Sequence, residues 1–306
     1  MPLYKGSTEI AGGKLYKATT NIEVGYKQTA EFFRNTFAVD YVLVGAGGCA
    51  GLGSPQSTAS WVGGGGGGGY LTSWSNETGG GPSGVNGSAL QLQVGVTYTI
   101  SVGNVRTNSH TSTGKGTYGQ GNVSITGGTI SLTANEGGFG GNYNQDGGNG
   151  GSGGGAGRNT IAGGAGGTGN QGYGGANTVQ NDNAPGAGGG AGSAGVPLGD
   201  GSGGQGGSAK ITTITGSNIY VGAGGGRGAS VFNPTGYGGP GSGVADDNLS
   251  FTGPYLGAAI LRCPTTTYNR MTISGVAASV STVGSDTILQ FGHATSNHGT
   301  TTIQIA

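Results

Sequence analysis

Two histidines five positions apart, His293 and His298 in HATSNH, come nearest to a metal-ligand spacing in this chain. Imidazole is a common ligand for transition metals, and copies meeting at an axis would gather several such pairs. The third histidine, His110, stands alone, and ordinary loop positions account for all three equally well. Asp246 and Asp247 form the one adjacent acidic pair, in a stretch of loop composition. A glycosidase needs two placed carboxylates, so a depolymerase reading rests on that pair alone. The seven-glycine run Gly63–Gly69 is not followed by Lys-Ser/Thr and so is no phosphate-cradling P-loop. Spacings of the G-x-G-x-x-G type arise by chance in such a chain and open no helix. Cys49 and Cys263 are too few for a disulfide framework. They would meet, as a reduced buried pair, if the strands that carry them were neighbours. We therefore expect no enzyme, no cofactor and no metal.

Binding is the stronger reading. Aromatic rings on loops offer flat contact faces at low entropic cost, and loops on a rigid scaffold carry recognition. The candidates are Trp61, Tyr70, Trp74, Tyr143, Tyr173, Phe232 and Tyr237, with Asn181 and Asp182 as hydrogen-bonding partners. Trp61 and Tyr70 flank the glycine run, so each serves equally well as a core plug. With 12 basic and 12 acidic residues and only 8 % charge, the chain has no electrostatic footprint for nucleic acid or an anionic membrane. The N-terminus MPLYKGSTEI lacks a signal-peptide core, and no apolar run approaches the ~20 residues of a membrane span. Synthesis in a cytosol without membrane insertion is the expectation.

The elements that must position these residues are strands. Residues 1–37 hold a repeat, YKGSTEI (Tyr4–Ile10), YKATTNI (Tyr16–Ile22) and YKQTAEF (Tyr26–Phe32). It reads as three short strands with tight turns, which cannot bury a core alone. They either pair with a partner or pack as a solvated meander on the next domain. FAVDYVLVGA (Phe37–Ala46) and YLGAAILRCP (Tyr255–Pro264) read as buried strands. LQLQVGVTYTISVGN (Leu90–Asn104) predicts a hairpin turning at Gly95, and NVSITGGTISLTAN (Asn122–Asn135) another turning at Gly127-Gly128. The Thr-rich end, 265–306, predicts a small β-module of its own.

Between these strands glycine keeps a phase. It recurs at Gly147, Gly150 and Gly153, again from Gly163 through Gly166, Gly169 and Gly172 to Gly175, and then at Gly186, Gly189, Gly192 and Gly195. Three residues per turn is the period of a polyproline-II-like helix, and glycine on one edge lets such helices approach closely. Collagen fits poorly, because the runs are short and the whole chain has 9 prolines. A disordered Gly/Ser tether would not hold the phase. The pattern predicts short rods folded back on themselves and joined by polar or aromatic breaks. Glycine's large entropy loss on ordering must then be offset by dense backbone hydrogen bonding.

The order of YVLVGAGG (Tyr41–Gly48), the Gly63–Gly69 run, the Val94–Gly103 stretch, GTISLTANEGGFGG (Gly128–Gly141), the glycine triplets and GAAILRCP (Gly257–Pro264) resembles the glycine-rich domain of bacteriophage tail-fibre and receptor-binding proteins. More loosely it is similar to the adhesin at the tip of T-even-type long tail fibres. The resemblance covers residues 38–264 and departs after Pro264. It implies an all-β fold with polyglycine-II helices, strands framing a glycine-rich sandwich and no α-helix of note. It also implies a virion protein made in the host cytoplasm, attached through residues 1–37 to other tail or baseplate proteins. Its loops would bind a bacterial surface receptor, polysaccharide or outer-membrane protein. Fibres imply a homotrimer, whereas a tip adhesin works as a monomer. The rival readings are a purely structural virion component and a glycine-rich ice-binding or cell-wall protein. An ice binder should carry a flat face of regularly spaced threonines, and the glycine triplets do not supply one.

Overall fold

The computed structural model describes residues 3–5, 8–10, 36–51, 62–104, 121–142, 144–157, 165–179, 184–197, 204–226, 236–239, 255–292 and 298–306. Its regular structure is nearly all β, with one four-residue helix, α1 (Thr265–Tyr268). Near the N-terminus, β1 (Leu3–Lys5) and β2 (Thr8–Ile10) pair antiparallel, Tyr4 opposite Glu9. The first repeat copy thus spans two paired strands rather than a single one. The other two copies lie outside the described residues.

Two sheets face one another. The first is centred on β3 (Thr36–Val44) and β11 (Ala258–Pro264), which run antiparallel with Val44 opposite Ala258 and Asp40 opposite Arg262. The two ends of β3 take different partners. β5 (Leu90–Gln93) pairs with its first half, and β4 (Tyr70–Thr72) with its second. The second sheet contains β6 (Thr97–Val102), β7 (Val123–Gly127) and β8 (Ile130–Ala134). β7 and β8 form the expected hairpin around Gly127 and Gly128, both with positive φ.

The Leu90–Asn104 stretch is not a hairpin. β5 joins the first sheet and β6 the second, so Gly95, at φ 76°, turns a corner between sheets. The alternation of apolar residues in both strands fixes which face is buried but is silent on the partner.

The C-terminal stretch is not a separate module either. β14 (Asp286–Phe291) pairs with β11, and β13 (Ser279–Val283) lies beyond it at the sheet's end. In the second sheet β15 (Gly299–Ile305) inserts between β6 and β12 (Met271–Gly275). Ile288, Leu289, Phe291, Ile303 and Ile305 are buried in the same clusters as Val39, Leu43, Ile100 and Ile260 of the earlier strands and β11. Their apolar area, worth ~1.5–3 kcal/mol per fully buried side chain, binds this stretch to the sandwich.

Val39, Tyr41, Leu43, Leu261, Tyr98, Ile100, Ile125 and Ile303 fill the space between the sheets. The opposite face of the first sheet is covered too, by Val42, Val44, Ile260 and Ile288 packed with Tyr70, Ala191, Ile214 and Val221. Burial on both faces explains why β3 and β11 read as continuous apolar runs instead of alternating ones. The second face is closed by the hairpin of β9 (Lys210–Thr212) and β10 (Ile219–Val221) and by the glycine segments.

Those segments hold each other through the backbone, and residues 62–69 lie at their centre. The amides of Gly63, Gly66 and Gly69 donate to the carbonyls of Gly141, Gly138 and Asn135, each at 2.8 Å. The carbonyls of the same three accept from Gly51, Gly48 and Gly45. One step along, Gly64 and Gly67 donate to Gly186 and Gly189 and accept from Gly155 and Ser152. One step further, Gly65 accepts from Gly225, and Gly68 donates to Gly238. Side chains have no room there. A Cβ on Gly65, Gly66, Gly67 or Gly68 would stand 2.1, 2.2, 2.2 or 1.8 Å from a neighbouring carbonyl oxygen.

Candidate functional site

The hydrogen-bond rows give the glycine layer two ends. Gly45, Gly69 and Asn135 make one row, and these residues adjoin β3, β4 and β8. The strands therefore meet the glycine segments at a common base. Gly51, Gly63 and Gly141 make the opposite row, continued through Gly155, Ala156, Ala176 and Gly186. The chain passes out of the described residues beside this far row: after Gly51 and before Val62, around Asn142, after Gly157, and between Val179 and Ala184. Trp61, Tyr143, Asn181 and Asp182 lie in those stretches, outside the described residues, and Phe232 lies outside them too, in 227–235.

The remaining candidates are engaged inside the molecule. Tyr70 is fully buried at 0 % exposure, which corrects its reading as a recognition ring. Its hydroxyl donates to Glu77 Oε2 at 2.9 Å, and burial together with the Glu77 charge pushes its pKa upward. The glycine that precedes it removes competing side chains, so the ring fills the junction between β4 and the glycine layer. Tyr237 is half-buried against the same cluster and accepts a hydrogen bond from Gln290 Nε2. Burial raises its pKa to about 12. Tyr173 is half-buried; its amide donates to Gly190 at 3.0 Å and its carbonyl accepts from Gly153, as glycine does elsewhere in the layer.

Trp74 belongs to a polar clasp that sequence spacing did not reveal. Its indole Nε1–H donates to Thr213 Oγ1 at 3.0 Å, and the Arg262 guanidinium lies 4.3 Å from its ring centroid. Arg262 also donates to Asp286 Oδ2 at 2.9 Å and to the Ile214 carbonyl at 3.1 Å. Glu77 Oε1 accepts from the Thr213 amide at 2.8 Å and from its hydroxyl at 3.0 Å. Each donor has an acceptor from a different stretch, so the clasp pins the β9–β10 hairpin to the first sheet. No local spacing could announce it, because 188 positions separate Trp74 from Arg262.

Cys49 and Cys263 are buried but do not meet. Their strands are indeed neighbours, yet the antiparallel register sets Cys263 beside the Val39 end of β3, whereas Cys49 lies beyond Val44 in the glycine layer. At ~3.3 Å per residue the strand alone holds them roughly 16 Å apart. Burial, then the Asp286 charge, pushes the Cys263 thiol up to about 11. Among the described residues no group of three or more His, Cys, Asp or Glu is placed to hold a metal ion, and no helix is long and apolar enough to cross a membrane. The chain matches no family model, no curated protein and no solved structure.

Proposed function

We propose that this chain is a phage tail-fibre adhesin that docks on the virion through residues 1–37 and binds a bacterial surface receptor through loops at the far end of its glycine layer. The observation that carries the reading is polarity. Thr36, where the N-terminal repeats give way to β3, and the row of Gly51, Gly63 and Gly141 stand at opposite ends. Eight strand steps and seven glycine steps separate them by about 48 Å at ~3.3 and ~3.1 Å per residue. The segments themselves are read as polyglycine-II helices. Support comes from the hydrogen-bond partners of 62–69, which change with each residue and return after three. Such a lattice makes a stiff platform whose connecting loops tolerate variation. The test is adsorption competition. Purified protein should bind host cells and slow adsorption of the phage; protein that does neither sinks the receptor-binding role and leaves a structural virion component.

One observation favours the ice-binding reading. Ser274, Thr302, Thr99, Thr126 and Ser131 stand opposite one another across all five strands of the second sheet. A five-stranded sheet twists by roughly 20° per strand, which works against the flat face an ice lattice needs. Thermal hysteresis in a nanolitre osmometer would decide for it, and its absence against it.

A further inference from the structure

The sandwich has a guarded flank and an open one. On the guarded side, Gln171 from the glycine layer seals the end of β8, donating from Nε2 to the Thr133 carbonyl at 2.7 Å while its Oε1 accepts from the Asn135 amide. β4 is closed similarly, with Tyr70 donating to Gln171 and Thr72 bridged to Asn86. On the other side, β13 ends the first sheet and β12 ends the second, and the short corner 276–278 joins them. Among the described residues β13 pairs with β14 alone. Ser279, Val280, Ser281 and Thr282 are exposed, Val280 at 50 %.

An edge strand carries a row of unused backbone donors and acceptors. Proteins that stay monomeric blunt such edges with charge, proline or a cover. SVSTV has no charge and no proline, and its β-branched residues favour extended backbone. The chemistry of this edge selects an extended strand as its occupant. We propose that the occupant is β13 of a second copy, paired antiparallel about a twofold axis at Ser281.

The strand is self-complementary in that register. Val280 faces Thr282, and Ser279 faces Val283, so each β-branched apolar residue meets a small hydroxyl side chain. A charged edge would repel its own copy, whereas this one carries nothing to repel. Self-pairing on one patch gives an isologous dimer, the commonest symmetric assembly. It departs from the trimer implied by resemblance to fibres, which makes the two readily separable. It does not depend on receptor binding.

The experiment uses the full chain. By light scattering the wild type should have twice the 29.4 kDa chain mass, and Val280→Lys should return it to one. Ser281→Cys should form a covalent dimer on mild oxidation, because directly opposed residues stand about 4.5–5.5 Å apart at Cα, within disulfide reach. Ser279→Cys, opposite Val283, should not. The wild type, with both its thiols buried, is the background control. If Val280→Lys loses its native circular dichroism, Thr282→Lys replaces it. A monomeric or trimeric wild type overturns the proposal. So does a dimer that survives the lysine substitutions, since its contact then lies elsewhere, for example on the β1–β2 hairpin.

Discussion

Among the described residues, Ser152 of the glycine layer has a side chain that works against it. It is fully buried, and its Oγ has no hydrogen-bond partner. Leaving a hydroxyl buried and unsatisfied costs ~1–3 kcal/mol. Its Cβ is already accommodated, so Ser152→Ala removes the cost without adding bulk. We expect that variant to be more stable by about 1 kcal/mol, read as a higher denaturant midpoint at unchanged slope. Titration gives a second prediction. Cys263 holds its proton up to about 11 in the folded state, against 9.0 for an ordinary thiol, and Tyr237 up to about 12 against 10.0. As pH rises past 9 the unfolded chain loses these protons first, so unfolding becomes more favourable. Stability should be full below pH 9 and fall between 9 and 12, with Cys263→Ala flattening the first part of that fall. An unfolding free energy that stays level from pH 8 to 11 contradicts this.

At the scale of elements, the glycine segments make a sharp demand on sequence. Gly66 lies in the central segment, where a Cβ would stand 2.2 Å from the Ser152 carbonyl oxygen, with chain on every side to prevent retreat. Gly174 lies at the layer's margin, and the nearest atom to its Cβ would be the Gly167 oxygen at 3.3 Å. Overpacking a core costs ~1–3 kcal/mol when neighbours can shift, and backbone locked by hydrogen bonds shifts least. Gly66→Ala should cost more than about 3 kcal/mol or leave the chain insoluble, whereas Gly174→Ala should cost under about 1 kcal/mol. Equal melting temperatures for the two would refute a hydrogen-bonded lattice. The demand for glycine was legible in the seven-glycine run, where a Cβ at any of Gly63–Gly69 would stand 2.3 Å or less from a neighbouring atom. β3 and β11 were legible because burial on two faces leaves an unbroken apolar run. Pairing was not legible. Ile288 and Leu289 announce a buried strand, but only three-dimensional register says that β11 is the partner. The clasp of Trp74, Thr213, Arg262 and Asp286 escaped for the same reason. Tyr70 was ambiguous because an aromatic beside a glycine run plugs a core or faces solvent equally well.

At the scale of the whole molecule, scaffold and recognition are separable by construction. The described glycine segments bond to one another through the backbone, and Tyr70, Trp74 and Tyr237 are used in holding layer and sandwich together. On the adhesin reading, the remaining recognition candidates are Trp61, Tyr143, Asn181 and Asp182, in stretches that leave the described residues beside the far row, and Phe232, in 227–235. Two of those stretches, 158–164 and 180–183, adjoin the row formed by Ala156, Ala176 and Gly186. Replacing RNTI (158–161) and NDN (181–183) together with Gly-Ser sequence of equal length changes no described hydrogen bond. Loop composition at fixed length alters closure entropy little, so the melting temperature should stay within about 1 °C, corresponding to less than ~1 kcal/mol. Host-cell binding should fall at least tenfold, because recognition side chains are lost while the platform remains. Full binding by the replaced protein would move recognition off this end, and the exposed hydroxyl face of the second sheet would become the next surface to test.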